Sequence, residues 1–238
     1  MTETDALPLA VAERPTRRRG PRWPVLLAGV VACLGFLGAP PGIARAACGP
    51  GGPPPGAASK DVSDAYGQPA TLWITDMTIG ITTAQGYGAA EIHSPSPLPR
   101  SALLIDAQQD GNHQIIVDTG REAILYAVSG CTITPIVDPQ GKSFRFDLGH
   151  RLGRGDGTGC SDLGDGRRLV GLLQLRDERG TPLFIVRRTE IQLHDATATA
   201  GRSDTVTATS DRDAAWRTAA DISCGDLTLK RDGVEAPH

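Results

Sequence analysis

The stretch Asp106-Ala-Gln-Gln-Asp110-Gly111-Asn-His-Gln-Ile-Ile-Val117 decides how the chain is read. Asp-Gly ahead of an apolar run is a turn feeding a strand, because Asp supplies a side-chain acceptor and Gly takes φ > 0. The same stretch sets oxygen-bearing side chains at Asp106, Gln108, Asp110 and Asn112, the alternate positions a calcium loop uses. Only two of these are charged. The turn is therefore the stronger reading, and it makes this a β protein.

Segments on either side agree. Trp73, Thr75, Met77, Ile79 and Ile81 alternate with other residues, as on one face of a strand. Ile124-Leu-Tyr-Ala-Val128 is a continuous apolar run suited to a central strand. Phe144 and Phe146, Ile191 and Leu193, and Val206 and Ala208 also alternate. Period-two patterning in short runs argues strands. Asp64–Gly67, Asp138–Gly141 and Asp177–Gly180 share Asp-x-x-Gly and are expected as hairpin turns. The one helix expected is Ser210–Ala220, capped by Ser210 with Asp213 completing the pattern. Trp73, Tyr87, Tyr126 and Trp216 are expected as core fillers rather than a glycan platform, since the chain holds few aromatics.

Residues 1–46 read as a secretory signal. Arg17-Arg18-Arg19 and Arg22 precede the apolar run Val25–Ala39, Pro40-Pro41 breaks it, and Ala44-Arg-Ala46 is a small-x-small site. The run is short for a spanning helix of roughly 20 residues. Cleavage near Ala46 is expected, with an uncleaved anchor over residues 25–39 or lipidation at Cys33 as alternatives. The split in charge agrees: residues 1–46 carry net +3 and residues 47–238 net −6. An acidic remainder argues against nucleic-acid binding.

Four cysteines follow the signal: Cys48, Cys131, Cys160 and Cys224. An even number in an exported chain implies two disulfides and three possible pairings. Cys131–Cys160, the local pair, is favoured, with Cys48–Cys224 tying the ends. Residues 47–60 read as a Pro/Gly linker, 61–231 as the β-rich domain and 232–238 as a disordered tail.

Internal echoes are present. Asp110-Gly111 and Asp165-Gly166 both precede an apolar strand. Gly159-Cys-Ser-Asp-Leu163 resembles Ser223-Cys-Gly-Asp-Leu227, and Asp64-x-x-Gly-Gln-Pro69 resembles Asp177-x-x-Gly-Thr-Pro182. Asp-x-x-x-Asp-Gly-x-x-x-Ile-Ile-Val resembles the repeat of integrin-type β-propellers (FG-GAP or VCBS repeats), over two segments of about 15 residues. That resemblance implies blades and calcium loops, and Gln114 then stands where the family has a carboxylate able to bind bidentately; Asp106 and Asp110 in this loop, with Asp156, Asp162 and Asp165 in the Gly-rich stretch 153–166, are the metal candidates. The residues themselves favour an all-β, disulfide-stapled sandwich or irregular barrel, with a partial or small propeller as the alternative.

Arg154-Gly155-Asp156 spells an integrin-binding tripeptide, at a frequency chance can supply. No Gly-x-Ser-x-Gly, Ser-x-x-Lys or His-Glu-x-x-His occurs, so no catalytic set is assigned. The chain therefore reads as a bacterial secreted or cell-envelope protein with a non-catalytic binding, adhesion or structural role toward an envelope component or protein. It would touch the membrane only through its N-terminal segment. A calcium-binding module and an envelope hydrolase with an unrecognised site are the alternatives.

Overall fold

The computed structural model describes residues 48–149 and 156–237. The expected signal lies outside them. No helix among the described residues is long and apolar enough to cross a membrane.

Three sheets follow along the chain. The first is an antiparallel meander of β1 (Ala58–Asp61), β2 (Ala70–Ile74), β3 (Thr78–Thr83) and β4 (Gly86–Glu91), with helix α1 (Ser63–Tyr66) between β1 and β2. The second holds β5 (Ser101–Ile105), β6 (His113–Asp118), β7 (Glu122–Ser129), β8 (Thr132–Pro135) and β9 (Arg145–Asp147). β8 and β9 both pair with β7, at successive residues. The third begins with β10 (Asp156–Asp162), β11 (Arg167–Arg176), β12 (Pro182–His194) and β13 (Thr197–Thr207). It continues through α2 (Ala214–Thr218) to β14 (Ile222–Cys224) and β15 (Leu227–Thr228). Its order is β13-β12-β11-β10-β14-β15, and only β10 and β14 run parallel. After α3 (Leu229–Asp232), β16 (Val234–Glu235) returns to pair with β5.

The second sheet is the middle layer, because successive side chains on a strand point to opposite faces. Ala102, Leu104, Ile115, Val117, Ile124 and Tyr126 join Leu72, Ile74, Ile79 and Ile81 of the first sheet in one core. Their neighbours Leu103, Ile105, Ile116, Ala123 and Leu125 join Leu169, Ile191 and Ile222 of the third sheet in another. A sheet covered on both faces needs continuous apolar runs, which is why Ile124–Val128 lacks alternation. Each large side chain buried this way contributes roughly 1.5–3 kcal/mol. The sequence led to an all-β, disulfide-stapled sandwich or irregular barrel; the chain is all-β and stapled by two disulfides, and its sheets stack in three layers. Trp73, Tyr126 and Trp216 are buried as expected.

Several local expectations are corrected. The disulfides are Cys48–Cys131 and Cys160–Cys224, not Cys131–Cys160 and Cys48–Cys224. Sequence proximity favoured the local pair, but strand pairing sets the partners. Gly49 bridges to Tyr87 beside β4, and Cys160 lies opposite Cys224 on β14. The alternation from Trp73 to Ile81 is not one strand. Thr75 Oγ1 accepts from the backbone N–H of Met77 (3.2 Å) and Thr78 (3.0 Å), folding the segment into the β2–β3 turn. Met77 is 64 % exposed at its tip.

Asp64–Gly67 is not a hairpin turn but the α1 segment, closed by Gly67 at φ 74°. Asp177–Gly180 does turn β11 into β12, with Asp177 accepting from Arg179 and Thr181. Helix α2 is shorter than expected and is capped by Asp213, not Ser210; Asp213 Oδ1 accepts from Ala215 N at 3.0 Å. The two ends expected as linker and tail both join the fold. Cys48 is disulfide-bonded and β1 begins at Ala58, while Val234 pairs with Ala102.

Candidate functional site

The carboxylates singled out by sequence fall into two turns and one strand start. In the β5–β6 loop, the two carboxylate oxygens of Asp106 accept from the backbone N–H of Asp110 (3.2 Å) and Gly111 (3.0 Å). Asp110 accepts from the backbone and side-chain amides of Asn112, at 2.9 and 3.0 Å. Those bonds, the backbone one first, hold the Asp110 carboxyl below its usual range. Gly111 has φ 81°. These contacts complete an ordinary turn with carboxylate oxygens that a cation would have to take from the backbone.

In the β10–β11 turn, Asp162 accepts from Gly164 (2.7 Å) and Gly166 (3.1 Å), which lowers its pKa in the same way. Asp165 pairs with Arg202, which also reaches Glu190 at 3.4 Å. Asp156 opens β10; Arg154 and Gly155 of the tripeptide, and His150, lie outside the described residues. The two Asp-Gly turns lie side by side. Arg167 follows the second turn and donates to the Asp106 carbonyl and, at 3.2 Å, to the Ala107 carbonyl of the first. Among the described residues, no group of three or more His, Cys, Asp and Glu is placed to hold a metal ion.

The histidines are dispersed. His93 pairs with Glu91 at 3.3 Å, both exposed. His113 Nε2 meets the Ala65 carbonyl at 3.1 Å, its ring tilted on Tyr66 at 4.6 Å. His194 ends β12 at the surface. None of these contacts is to a hydroxyl or thiol.

A depression of about 320 Å³ was not visible in the sequence. Gln108, Asn112 and His113 line it from the β5–β6 side, Ser129 and Thr132 from the β7–β8 hairpin, and Asp195 from the β12–β13 hairpin. Each wall is held from behind. Gln114, 5 % exposed, donates to the Asn112 carbonyl (2.8 Å) and accepts from Ala107 N (3.2 Å). The β7–β8 turn is fixed by the Cys48–Cys131 disulfide and by Tyr66, whose hydroxyl donates to the Gly130 carbonyl at 2.5 Å. The β12–β13 tip is clasped by Val137, which donates to Ala196 O (2.9 Å) and accepts from Ala198 N (2.8 Å). Three turns distant in sequence thus converge at one end of the middle layer.

Comparison of the chain with protein-family models, curated proteins and solved structures finds no match. The chain is a disulfide-bonded β-rich protein.

Proposed function

We propose that this chain is a secreted or cell-envelope protein with a non-catalytic binding role, its three-layer β scaffold presenting a preformed surface to an extracytoplasmic component. The observation that carries this reading is the pair of disulfides. They join segments 83 and 64 residues apart, and such bonds persist in oxidising compartments. The basic and apolar segment ahead of Cys48 is the matching export address. Rigid, hydrogen-bonded turns around the 320 Å³ depression suit recognition by a pre-ordered surface.

Fractionation of a bacterial host expressing the full chain tests the reading. The protein is expected outside the cytoplasm, in the envelope or medium. Retention with a cytosolic marker would overturn it.

A further inference from the structure

We propose that the depression between the β5–β6, β7–β8 and β12–β13 turns binds a neutral, hydroxyl-rich ligand, a single saccharide unit of an extracytoplasmic glycan. This inference rests on the binding role proposed above and supplies its ligand class.

The lining excludes the other classes. None of its residues is Lys or Arg, and the Nε2 of His113 is taken by the Ala65 carbonyl, so the lining presents no dedicated cation to a phosphate, sulfate or carboxylate. Asp195 is its one carboxylate, too few for a dedicated cation site. Its apolar surface is confined to small or medium side chains, Ala127, Val128, Leu193 and Ala196, and it holds no Trp, Phe or Tyr. That is too little apolar area to hold a lipid or aromatic ligand.

What remains is a ring of groups that both donate and accept: the amides of Gln108 and Asn112 and the hydroxyls of Ser129, Thr132 and Thr134. Such groups match hydroxyls, which also do both. The Asp195 carboxylate can accept from two adjacent hydroxyls, and the Val128 and Leu193 strip suits the C–H face of a sugar ring. The volume of about 320 Å³ lies at the small end of the range of roughly 300–1,000 Å³ for ligand sites.

The backbone supplies a second, independent observation. Three non-glycine residues among those described have positive φ: Gln109 (58°), Phe184 (54°) and Asp195 (53°). Two belong to turns that border this depression. Non-glycine residues in the left-handed region cost free energy and concentrate at ligand clamps. At Asp195, glycine would satisfy the turn at no steric cost, yet would remove the carboxylate.

The test uses the oxidised full chain, with glucose and N-acetylglucosamine as neutral probes and inorganic phosphate as a charged control, read by ligand-observed NMR and calorimetry. At least one sugar is expected to bind in the millimolar range or tighter, and phosphate is not. Asp195→Asn should weaken sugar binding about tenfold, the difference between a charged and a neutral acceptor. Asp195→Gly should abolish binding while leaving Tm unchanged or raised, because it relieves the left-handed backbone. That combination separates a ligand contact from a structural role. Silence from both sugars, preference for phosphate, or sugar binding that survives Asp195→Gly would each overturn the inference. Sugar binding by a protein retained in the cytoplasm would sink the export reading alone, and an exported protein silent to both sugars would sink only this one.

Discussion

Cys160 and Cys224 are direct register partners on the parallel strands β10 and β14, with Cα atoms 4.5 Å apart, and their disulfide joins two segments that resemble each other in sequence. Gly-Cys-Ser-Asp-Leu lies beside Ser-Cys-Gly-Asp-Leu, so the echo is one of spatial neighbours. The strand pairing holds the sulfurs together, and the bond restricts the unfolded chain by about 4 kcal/mol in the chain-entropy model.

That pairing demands a glycine. A Cβ on Gly159 would stand 1.9 Å from the Ser223 carbonyl oxygen, which is backbone and cannot swing away. Gly159→Ala should therefore push β10 from β14 and cost about 1–3 kcal/mol, the usual range for overpacking. Urea unfolding would measure the loss, and thiol labelling should find a larger reduced fraction at Cys160 and Cys224.

The middle sheet predicts sensitivity on both of its faces. Leu125 faces the third sheet and is fully buried. Leu125→Ala should cost about 2–5 kcal/mol through lost burial and the cavity left behind. An exposed substitution such as Met77→Ala should stay within about 0.5 kcal/mol. Chemical unfolding of the two variants compares them.

Tyr126 faces the opposite core and donates to the Glu91 carbonyl at 2.9 Å. Burial pushes its phenol up to about 12 from an ordinary 10.0. Because the folded value is the higher, this stability is complete below the unfolded value and is lost as pH rises through the folded one. Tyr126→Phe should shift alkaline unfolding to higher pH while costing about 1 kcal/mol at neutral pH for the lost hydrogen bond. Circular dichroism across the alkaline range reads both effects.

Asp110 and Asp162 behave oppositely. Their folded values are depressed by backbone N–H donors, so the stability they supply is present above their ordinary 3.8 and is lost as pH falls. Acid unfolding should begin below about pH 4 and grow less steep in Asp162→Asn. Since these donors already hold the carboxylates, millimolar calcium or EGTA should leave Tm unchanged. A rise of several degrees with calcium would show that the β5–β6 loop is a metal site.

What the sequence disclosed follows from the range of the interactions involved. Ile124–Val128 was legible because burial on two faces writes itself into consecutive residues. The Thr75–Met77 turn was hidden, since Thr-Asp-Met carries no Gly or Pro and the turn is held by the Thr75 hydroxyl, the Thr75–Thr78 backbone bond and the distant Arg100 donating to the Asp76 carbonyl. The Cys160–Cys224 pair depended on a non-local parallel pairing, of which the echo around the two cysteines was a usable signal, and the Cys48–Cys131 pair on an equally non-local antiparallel bridge of Gly49 to Tyr87. The depression was illegible because its three turns meet only after the layers stack.

The fold is a three-layer β domain stapled by two disulfides, its layers joined through two apolar cores and its cysteines placed by strand pairing. Non-reducing peptide mapping by mass spectrometry, on full-chain protein recovered from the envelope or medium, tests it most directly. Peptides linking Cys48 to Cys131 and Cys160 to Cys224 are expected. Four free thiols, or a peptide linking Cys131 to Cys160, would contradict it.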